Sequence, residues 1–227
     1  MGGDLLSLLG RLSGHPSWGV VPRWELTNSK FGRILELCGG KDVLDCGCVG
    51  GPVEDPAEIA TTSHYHIAKA ARHAVGVDIV AEQVEKRRAA GFDVRVMNVE
   101  TMDLDETFDV VVAADLIEHL SNPGLFLERA RRHLREQGLL CLVTPNAWSA
   151  NGVFKAVAGL RTAVNPEHTC WYDPVTLRQV LERHGFDPVE WYWQDYGRSA
   201  FVRLVTRLRP NLAAHLIVIA RKRGPAA

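Results

Sequence analysis

A glycine-rich turn is the first place where this sequence could bind a ligand for chemistry. The turn reads DCGCVGG over residues 45–51 and follows a short apolar run at residues 43–46. Glycines in such a turn let the backbone approach a bound molecule closely. A dinucleotide, a nucleoside triphosphate and an adenosyl sulfonium are three ligands that a turn of this kind accommodates.

The residues around this turn disfavour a phosphate-bearing ligand. No Gly-Lys-Ser/Thr follows the turn, and its spacing differs from G-x-G-x-x-G. The next helix is expected to begin with Glu54, Asp55 and Pro56. A pyrophosphate binds the bare positive end of a helix, and two carboxylates there repel it and occupy the amides. A cationic or zwitterionic ligand without phosphate therefore suits the turn better.

Short apolar strands alternate with amphipathic helices from Lys41 onward, and they must position the turn. Strands are predicted at 43–46, 74–79, 94–97, 108–114, 139–143, 186–196 and 212–220, and helices at 56–72, 81–90, 125–134 and 173–184. Strands this apolar are buried on both faces, which indicates a parallel sheet covered by helices. The sequence thus predicts an α/β fold with a doubly wound, mostly parallel seven-stranded sheet. Its ligand site is expected at the carboxyl ends of the strands.

Composition and charge narrow the class of protein. The chain has 227 residues, 46% of them hydrophobic, and its formal net charge is −1, which disfavours a global nucleic-acid surface. Cys46 and Cys141 lie in apolar runs, so we expect reduced thiols and a cytoplasmic protein. The leucine-rich N-terminus is too short to span a membrane. We expect an N-terminal helical extension (about 1–40) covering the site, a domain at 41–227, and an irregular acceptor-side insert (about 145–172).

Three segments in a fixed order carry a family resemblance. They read VLDCGC at 43–48, GVD at 76–78 and FDVVVAADLIEHL at 108–120. Together they resemble the serial motifs of class I S-adenosylmethionine-dependent methyltransferases of the small-molecule type. Residues 139–145, His168 and the helix at Asp173 extend the resemblance, although Val49 stands where the family usually has a second glycine. The resemblance implies a Rossmann-like fold with S-adenosyl-L-methionine as cofactor.

The resemblance also implies which residues bind that cofactor. Asp78, at the end of the second strand, would accept hydrogen bonds from both ribose hydroxyls, which a carboxylate can do at once. Asn98 would accept a hydrogen bond from the adenine amino group, and Val99 would offer its backbone N–H to the ring. The implied set is Asp45, Gly47, Cys48, Asp78, Ile79, Asn98, Val99, Glu100 and Asp115.

Two histidines are the candidates for catalysis. A hydroxyl or ammonium acceptor must lose a proton, and a histidine is the natural base near neutral pH. His119 follows the fourth strand and His168 lies in the loop after the fifth, so both belong to strand carboxyl ends. A structural role that braces the loops is the alternative for each.

The same histidines take part in a second hypothesis. Asp115, one helical turn before His119, could join Glu118, His119 and His168 around a divalent cation. This arrangement resembles the metal-dependent branch that methylates the 2′-hydroxyl at the 3′ end of small RNA, although that branch has Glu where Asp115 stands. We predict that no metal is bound.

The function predicted from sequence is transfer of a methyl group from S-adenosyl-L-methionine to oxygen or nitrogen of a small-molecule or glycan-like acceptor. Nucleic acid is not expected as a partner. The alternatives are the metal-dependent RNA 2′-O-methyltransferase and a non-catalytic cofactor-binding module.

Overall fold

One eight-stranded sheet organises the molecule. The computed structural model describes residues 25–27, 30–160, 165–194 and 200–224. In chain order the strands are β1 (Glu25–Thr27), β2 (Asp42–Cys46), β3 (His73–Asp78), β4 (Val94–Val96), β5 (Phe108–Ala114), β6 (Leu134–Pro145), β7 (Phe186–Gln194) and β8 (His215–Lys222). Across the sheet they lie in the order β1-β7-β8-β6-β5-β2-β3-β4. β8 is antiparallel to both neighbours, and the other pairings are parallel.

The predicted doubly wound, mostly parallel sheet of seven strands is confirmed, and a further short strand extends its edge. β1 pairs in parallel with β7, with Glu25 opposite Tyr192. The part of the chain predicted as a helical extension (about 1–40) therefore supplies a strand as well as a helix. Residues 1–24 of that extension lie outside the described residues.

Seven α-helices and three short 3₁₀ helices connect the described strands. The α-helices are α1 (Lys30–Cys38), α2 (Ser63–Ala70), α3 (Ala81–Ala89), α4 (Pro123–His133), α5 (Ala150–Val157), α6 (Pro174–Arg183) and α7 (Ala200–Leu208). The 3₁₀ helices are Pro56–Thr61, Ile117–His119 and Pro210–Leu212.

Two local predictions need correction. The single helix expected at 56–72 is instead a 3₁₀ helix followed by α2, because Thr62 is extended and its side chain caps the start of α2. The insert at 145–172, expected to be irregular, contains α5, whose first turn is capped by the Ser149 hydroxyl. Ser and Thr are favoured caps because their oxygens accept hydrogen bonds from the free N–H groups of a first turn.

Helices cover both faces of the sheet, and alternating strand residues point to opposite layers. In β2, Val43 packs with Ile34 and Ile67 from α1 and α2, whereas Leu44 belongs to the layer that contains Phe126 of α4. This double burial explains why the strands are almost wholly apolar. Among the described residues, no helix is both long and apolar enough to cross a bilayer.

Candidate cofactor and acceptor site

The parallel strands β2, β3, β4, β5 and β6 end at one edge of the sheet, and the candidate residues gather there. β2 lies between β3 and β5, so the strand order reverses direction at the β2–β5 boundary. Ligands of doubly wound folds bind in the crevice at such a reversal. The turn after β2 reaches the segment after β5, because a Cβ on Gly47 would lie 3.2 Å from Cδ1 of Leu116.

The turn after β2 needs glycine at its first bend. Gly47 has a φ of +75°, a conformation that side chains other than glycine rarely adopt. Its N–H donates to the carbonyl oxygen of Val77 at 2.9 Å, which fixes the turn against β3. The thiols of Cys46 and Cys48 are buried, and burial raises the pKa of both, so they are neutral packing groups rather than thiolate ligands.

Asp78 organises the same turn from the end of β3. Its Oδ2 accepts a hydrogen bond from the N–H of Val49 at 3.0 Å, and its Oδ1 accepts one from Val80 at 3.1 Å. A carboxylate has about four acceptor positions, so each oxygen keeps the capacity to accept from a ligand hydroxyl. This arrangement fits a ribose bound at the strand end.

Arg87, a buried residue that sequence analysis did not identify, supports the glycine turn through hydrogen bonds. Arg87 in α3 is fully buried, and its Nη2 donates to the carbonyl oxygens of Val49 at 2.8 Å and Gly51 at 3.4 Å. Gln83 of the same helix accepts from the N–H of Val53 at 2.9 Å. The turn is therefore held by side chains where the family's usual glycine is replaced by valine. Arg87 lies in a basic stretch, KRRA, at the end of its helix, and such a stretch predicts solvent-exposed side chains. The sequence therefore gave no indication that Arg87 is buried.

Asp45 is also held by a residue that sequence analysis did not select. Its Oδ2 lies 2.9 Å from Nδ1 of His64 in α2, and both side chains are buried. The pairing orients the Asp45 carboxylate beside the glycine turn. The sequence did not predict His64 as the partner of Asp45, because the two residues are 19 positions apart and meet only when α2 packs on the sheet.

The segments after β3 and β4 contain the implied adenine contacts. Ile79 is 69% exposed at the strand end, an apolar surface of the kind on which an adenine ring can pack. The side-chain oxygen of Asn98 accepts a hydrogen bond from the N–H of Glu100 at 2.9 Å, so it forms a local turn. Oε1 of Glu100 accepts from the N–H of Asn122, and Val99 is buried in the core.

The two candidate catalytic histidines meet in space. The rings of His119 and His168 have centroids 4.7 Å apart and are nearly perpendicular, and Trp171 packs on His168 at 5.8 Å. The loop that carries His168 is fixed to the other element because the N–H of Thr169 donates to the carbonyl oxygen of Glu118 at 2.8 Å. Burial and the neighbouring His119 lower the pKa of His168, although Asp115 and Glu167 act in the opposite direction.

Glu118 lies beside these histidines. Its side chain is buried, and its Oε2 accepts from the hydroxyl of Thr144 at 2.9 Å. One ligand atom from each of Glu118, His119 and His168 lies within 4.8 Å of the other two, a spacing that a metal ion could bridge.

Asp115 does not lie where the helical spacing placed it. Its φ is +52°, so the chain bends into the left-handed region instead of continuing as a helix through Glu118. Its Oδ1 lies 3.8 Å from Nε2 of His215, a residue at the start of β8 that the sequence reading missed. β8 is antiparallel, so its amino end, not its carboxyl end, arrives at the site.

Comparison with known proteins identifies the family. A methyltransferase-domain model matches residues 21–190. A protein of Mycolicibacterium smegmatis named as an S-adenosylmethionine-dependent methyltransferase is 32% identical over 160 residues, which cover 69% of this chain and 56% of that protein. A ubiquinone biosynthesis O-methyltransferase of Nitrobacter winogradskyi is 30% identical over 161 residues, which cover 67% of this chain and 57% of that protein.

A solved structure agrees with this at the level of the fold. The crystal structure of an S-adenosylmethionine-dependent methyltransferase from Archaeoglobus fulgidus matches with a TM-score of 0.59 at 18% identity, over 85% of this chain and 92% of that one. The chain therefore belongs to the class I S-adenosylmethionine-dependent methyltransferases, and the predicted family, fold class and cofactor are confirmed. The match spans little more than half the length of the two curated relatives.

Proposed function

We propose that this chain transfers the methyl group of S-adenosyl-L-methionine to an oxygen or nitrogen of a small-molecule or glycan-like acceptor. The observation that carries this proposal is the convergence of two groups at one sheet edge. Asp78 and the glycine turn form the cofactor side, and the pair of His119 and His168 forms the acceptor side. A relative named as an O-methyltransferase supports oxygen as an acceptor atom.

The chemistry divides between cofactor and protein. S-adenosyl-L-methionine supplies an activated methyl group on a positively charged sulfur. The protein aligns the acceptor for in-line displacement and excludes water. Asp78 and the backbone of the turn would hold the ribose, Ile79 would supply an apolar surface for the adenine, and Asp45 with Gly47 would lie beside the methionine end.

His168 has a property that suits a base for the acceptor's proton. Its lowered pKa leaves the imidazole neutral near pH 7, which is the form that accepts a proton. His119 packs against it and lies 4.0 Å from Oε2 of Glu167, so a negative charge stands beside the pair. We assign His168 as the base and His119 as the residue that positions it.

A metal-dependent reaction is a second candidate for the same residues, favoured by the cluster of Glu118, His119 and His168. Glu118, His119 and His168 would hold a divalent cation there, and the cation would supply Lewis-acid activation of an acceptor hydroxyl. The two candidates make opposite demands on His168, which must be a free neutral base in one and a metal ligand in the other.

Asp78→Ala tests the cofactor side. We expect at least tenfold weaker binding of S-adenosyl-L-methionine by isothermal titration calorimetry, because the ribose loses charged acceptors worth about 1.5–3 kcal/mol each, and about 1.4 kcal/mol is tenfold. Asp103→Ala, at a carboxylate that is 56% exposed, is the control and should bind normally. An Asp78→Ala chain that is folded and keeps wild-type affinity would remove Asp78 from the site.

Product formation separates the enzyme from a non-catalytic module. Methylated product from any member of a panel of hydroxyl and amine acceptors supports the proposed reaction. Tight cofactor binding without turnover on the whole panel would favour the module. The acceptor class, and the cytoplasmic location expected from the five unpaired cysteines, are part of the proposal.

A further inference from the structure

Two helices next to the site expose apolar side chains that the fold does not use. α5 buries none of its residues, and Phe154 and Val157 are 64% and 84% exposed. In α7, Leu204 and Leu208 are 57% and 66% exposed. The two helices contact each other, so these side chains lie on neighbouring elements. We call this the apolar surface and define it by Val153, Phe154, Val157, Leu160, Leu204 and Leu208.

The helices that carry the apolar surface are attached to the carboxyl edge of the sheet. α5 follows the end of β6, and α7 connects the end of β7 to the start of β8, so both helices lie at the edge that carries the candidate site. The buried side chain of Asn146, which lies between β6 and α5, joins this region to the segment that follows α7. Its Nδ2 donates to the carbonyl oxygens of Asn211 at 2.9 Å and Ala213 at 2.7 Å.

The charged residues within the two segments that form this surface are all basic. Residues 147–160 and 200–212 contain no aspartate or glutamate, and their cations are Lys155, Arg203, Arg207 and Arg209. The whole chain has a net charge of −1, so these two segments hold +4 and the rest of the chain holds −5.

We propose that the apolar surface of α5 and α7 binds the face of an anionic lipid bilayer. Helices with exposed apolar side chains bordered by arginine and lysine insert at the boundary between headgroups and acyl chains, and the cations are attracted to anionic lipids. Phe154 and Val157 are 64% and 84% exposed, which suits insertion into an acyl-chain layer. The candidate acceptor site then lies next to the membrane.

A second copy of the chain and a nucleic acid satisfy these observations less well. A two-fold interface uses the same surface of both copies, so it would bring Arg203, Arg207 and Arg209 of one copy close to the same cations of the other. Single-stranded nucleic acids bind on aromatic side chains, whereas five of the six residues of the apolar surface are aliphatic.

Vesicle flotation with the full chain tests the proposal. We expect the wild type to float with phosphatidylcholine–phosphatidylglycerol vesicles, to stay unbound with phosphatidylcholine alone, and to be released by salt. Phe154→Ser with Val157→Ser, and separately Arg203→Glu with Arg207→Glu, should each reduce the bound fraction by about tenfold or more. Matched controls are Val189→Ser, an exposed valine of β7, and Arg88→Glu with Arg132→Glu, which reverse two exposed charges outside these helices.

Several outcomes would overturn the proposal. The wild type could fail to float with either vesicle, or the α5 and α7 variants could float like the controls. Binding that is lost only when residues 1–24 are removed would assign the membrane contact to that segment. A concentration-dependent dimer broken by Phe154→Ser, or binding of a single-stranded RNA oligonucleotide without vesicle binding, would assign the surface to those partners. Cofactor affinity measured on each variant shows that its fold is retained.

Discussion

At the scale of single residues, the proposed reaction depends on the environment of His168. The imidazole lies against His119 and Trp171, and burial with the neighbouring ring lowers its pKa. A base with a lowered pKa is neutral at pH 7 and becomes protonated only when the pH falls through that lowered value. Activity should therefore be retained to a lower pH than an ordinary histidine, of pKa about 6.5, would allow.

His168→Asn tests this assignment. We expect kcat to fall by about 10²- to 10⁴-fold, the usual contribution of a general base, while the affinity for S-adenosyl-L-methionine stays within about twofold. In the wild type, the acidic limb of the kcat/KM profile should lie below pH 6.5. Glu167→Gln should move this limb to lower pH, because Glu167 raises the pKa of His168.

A rate unchanged in His168→Asn, or a limb unmoved in Glu167→Gln, would contradict the base assignment. Activity that is abolished by a chelator and restored by Mg²⁺ or Zn²⁺ would instead assign Glu118, His119 and His168 as metal ligands. Chelator-insensitive activity with the expected limb would leave His168 as the base.

At the scale of elements, the close packing of the glycine turn against β3 shapes the cofactor side of the candidate site. Gly76 lies in the middle of β3, and a Cβ there would come within 2.8 Å of Cys48 Sγ, His64 Cε1 and Val94 Cγ1. The turn, α2 and β4 all approach β3 at this one point. The absence of a side chain at residue 76 is what lets His64 reach Asp45.

Gly76→Ala should therefore disturb both stability and cofactor binding. Overpacking of a buried site costs about 1–3 kcal/mol, so we expect a lower midpoint in urea unfolding. The displaced His64 should also weaken binding of S-adenosyl-L-methionine. Gly39→Ala is the matched control, because a Cβ there meets nothing closer than 3.6 Å and residue 39 precedes β2, away from the glycine turn. Equal stability of the two variants would show that the turn relaxes away from β3.

At the scale of the whole molecule, charged residues join the neighbouring strands β2 and β5 at the edge opposite the site. Asp42 at the start of β2 accepts from Arg72 at 2.8 Å and from Arg135 at 2.7 Å, and Arg135 also donates to Asp109 of β5 at 2.7 Å. Two hydrogen bonds hold the pKa of Asp42 well below its ordinary value: the one from Arg72 is the largest cause, and the one from Arg135 is the second.

Asp42→Asn should lower the melting temperature at pH 7 by less than Gly76→Ala does, because exposed ion pairs are screened by water. A carboxylate with a depressed pKa in the folded state stabilises the protein above its unfolded pKa of about 3.9, and this contribution is lost as the pH falls through the folded value. The difference between wild type and variant should thus shrink below about pH 4. Thermal melts by circular dichroism measure it.

Asp103→Asn, at an exposed carboxylate 3.3 Å from Arg132, is the control and should melt like the wild type. A pH-independent difference for Asp42→Asn would mean that the arginines are not the source of its stabilisation.

The sheet, the family and the position of several strand-end residues could be predicted from the amino-acid sequence. Apolar runs such as residues 108–114 require burial on both faces, and this requirement is local enough to predict a strand. The motif at 76–78 likewise placed Asp78 at a strand end, where the structure has it. These features depend on residue type and short spacing alone.

Contacts between residues that are distant in the chain could not be predicted, because they depend on how the elements pack. Arg87 is 38 residues from its partner Val49, and His64 is 19 residues from its partner Asp45. The presence of a charged or polar residue in a helix does not show whether its side chain is buried. His215 reaches Asp115 because β8 runs antiparallel, and strand direction depends on the packing of the whole sheet. The exposure of α5 and α7 has the same origin. An amphipathic pattern predicts an apolar face, but neighbouring elements decide whether that face is covered.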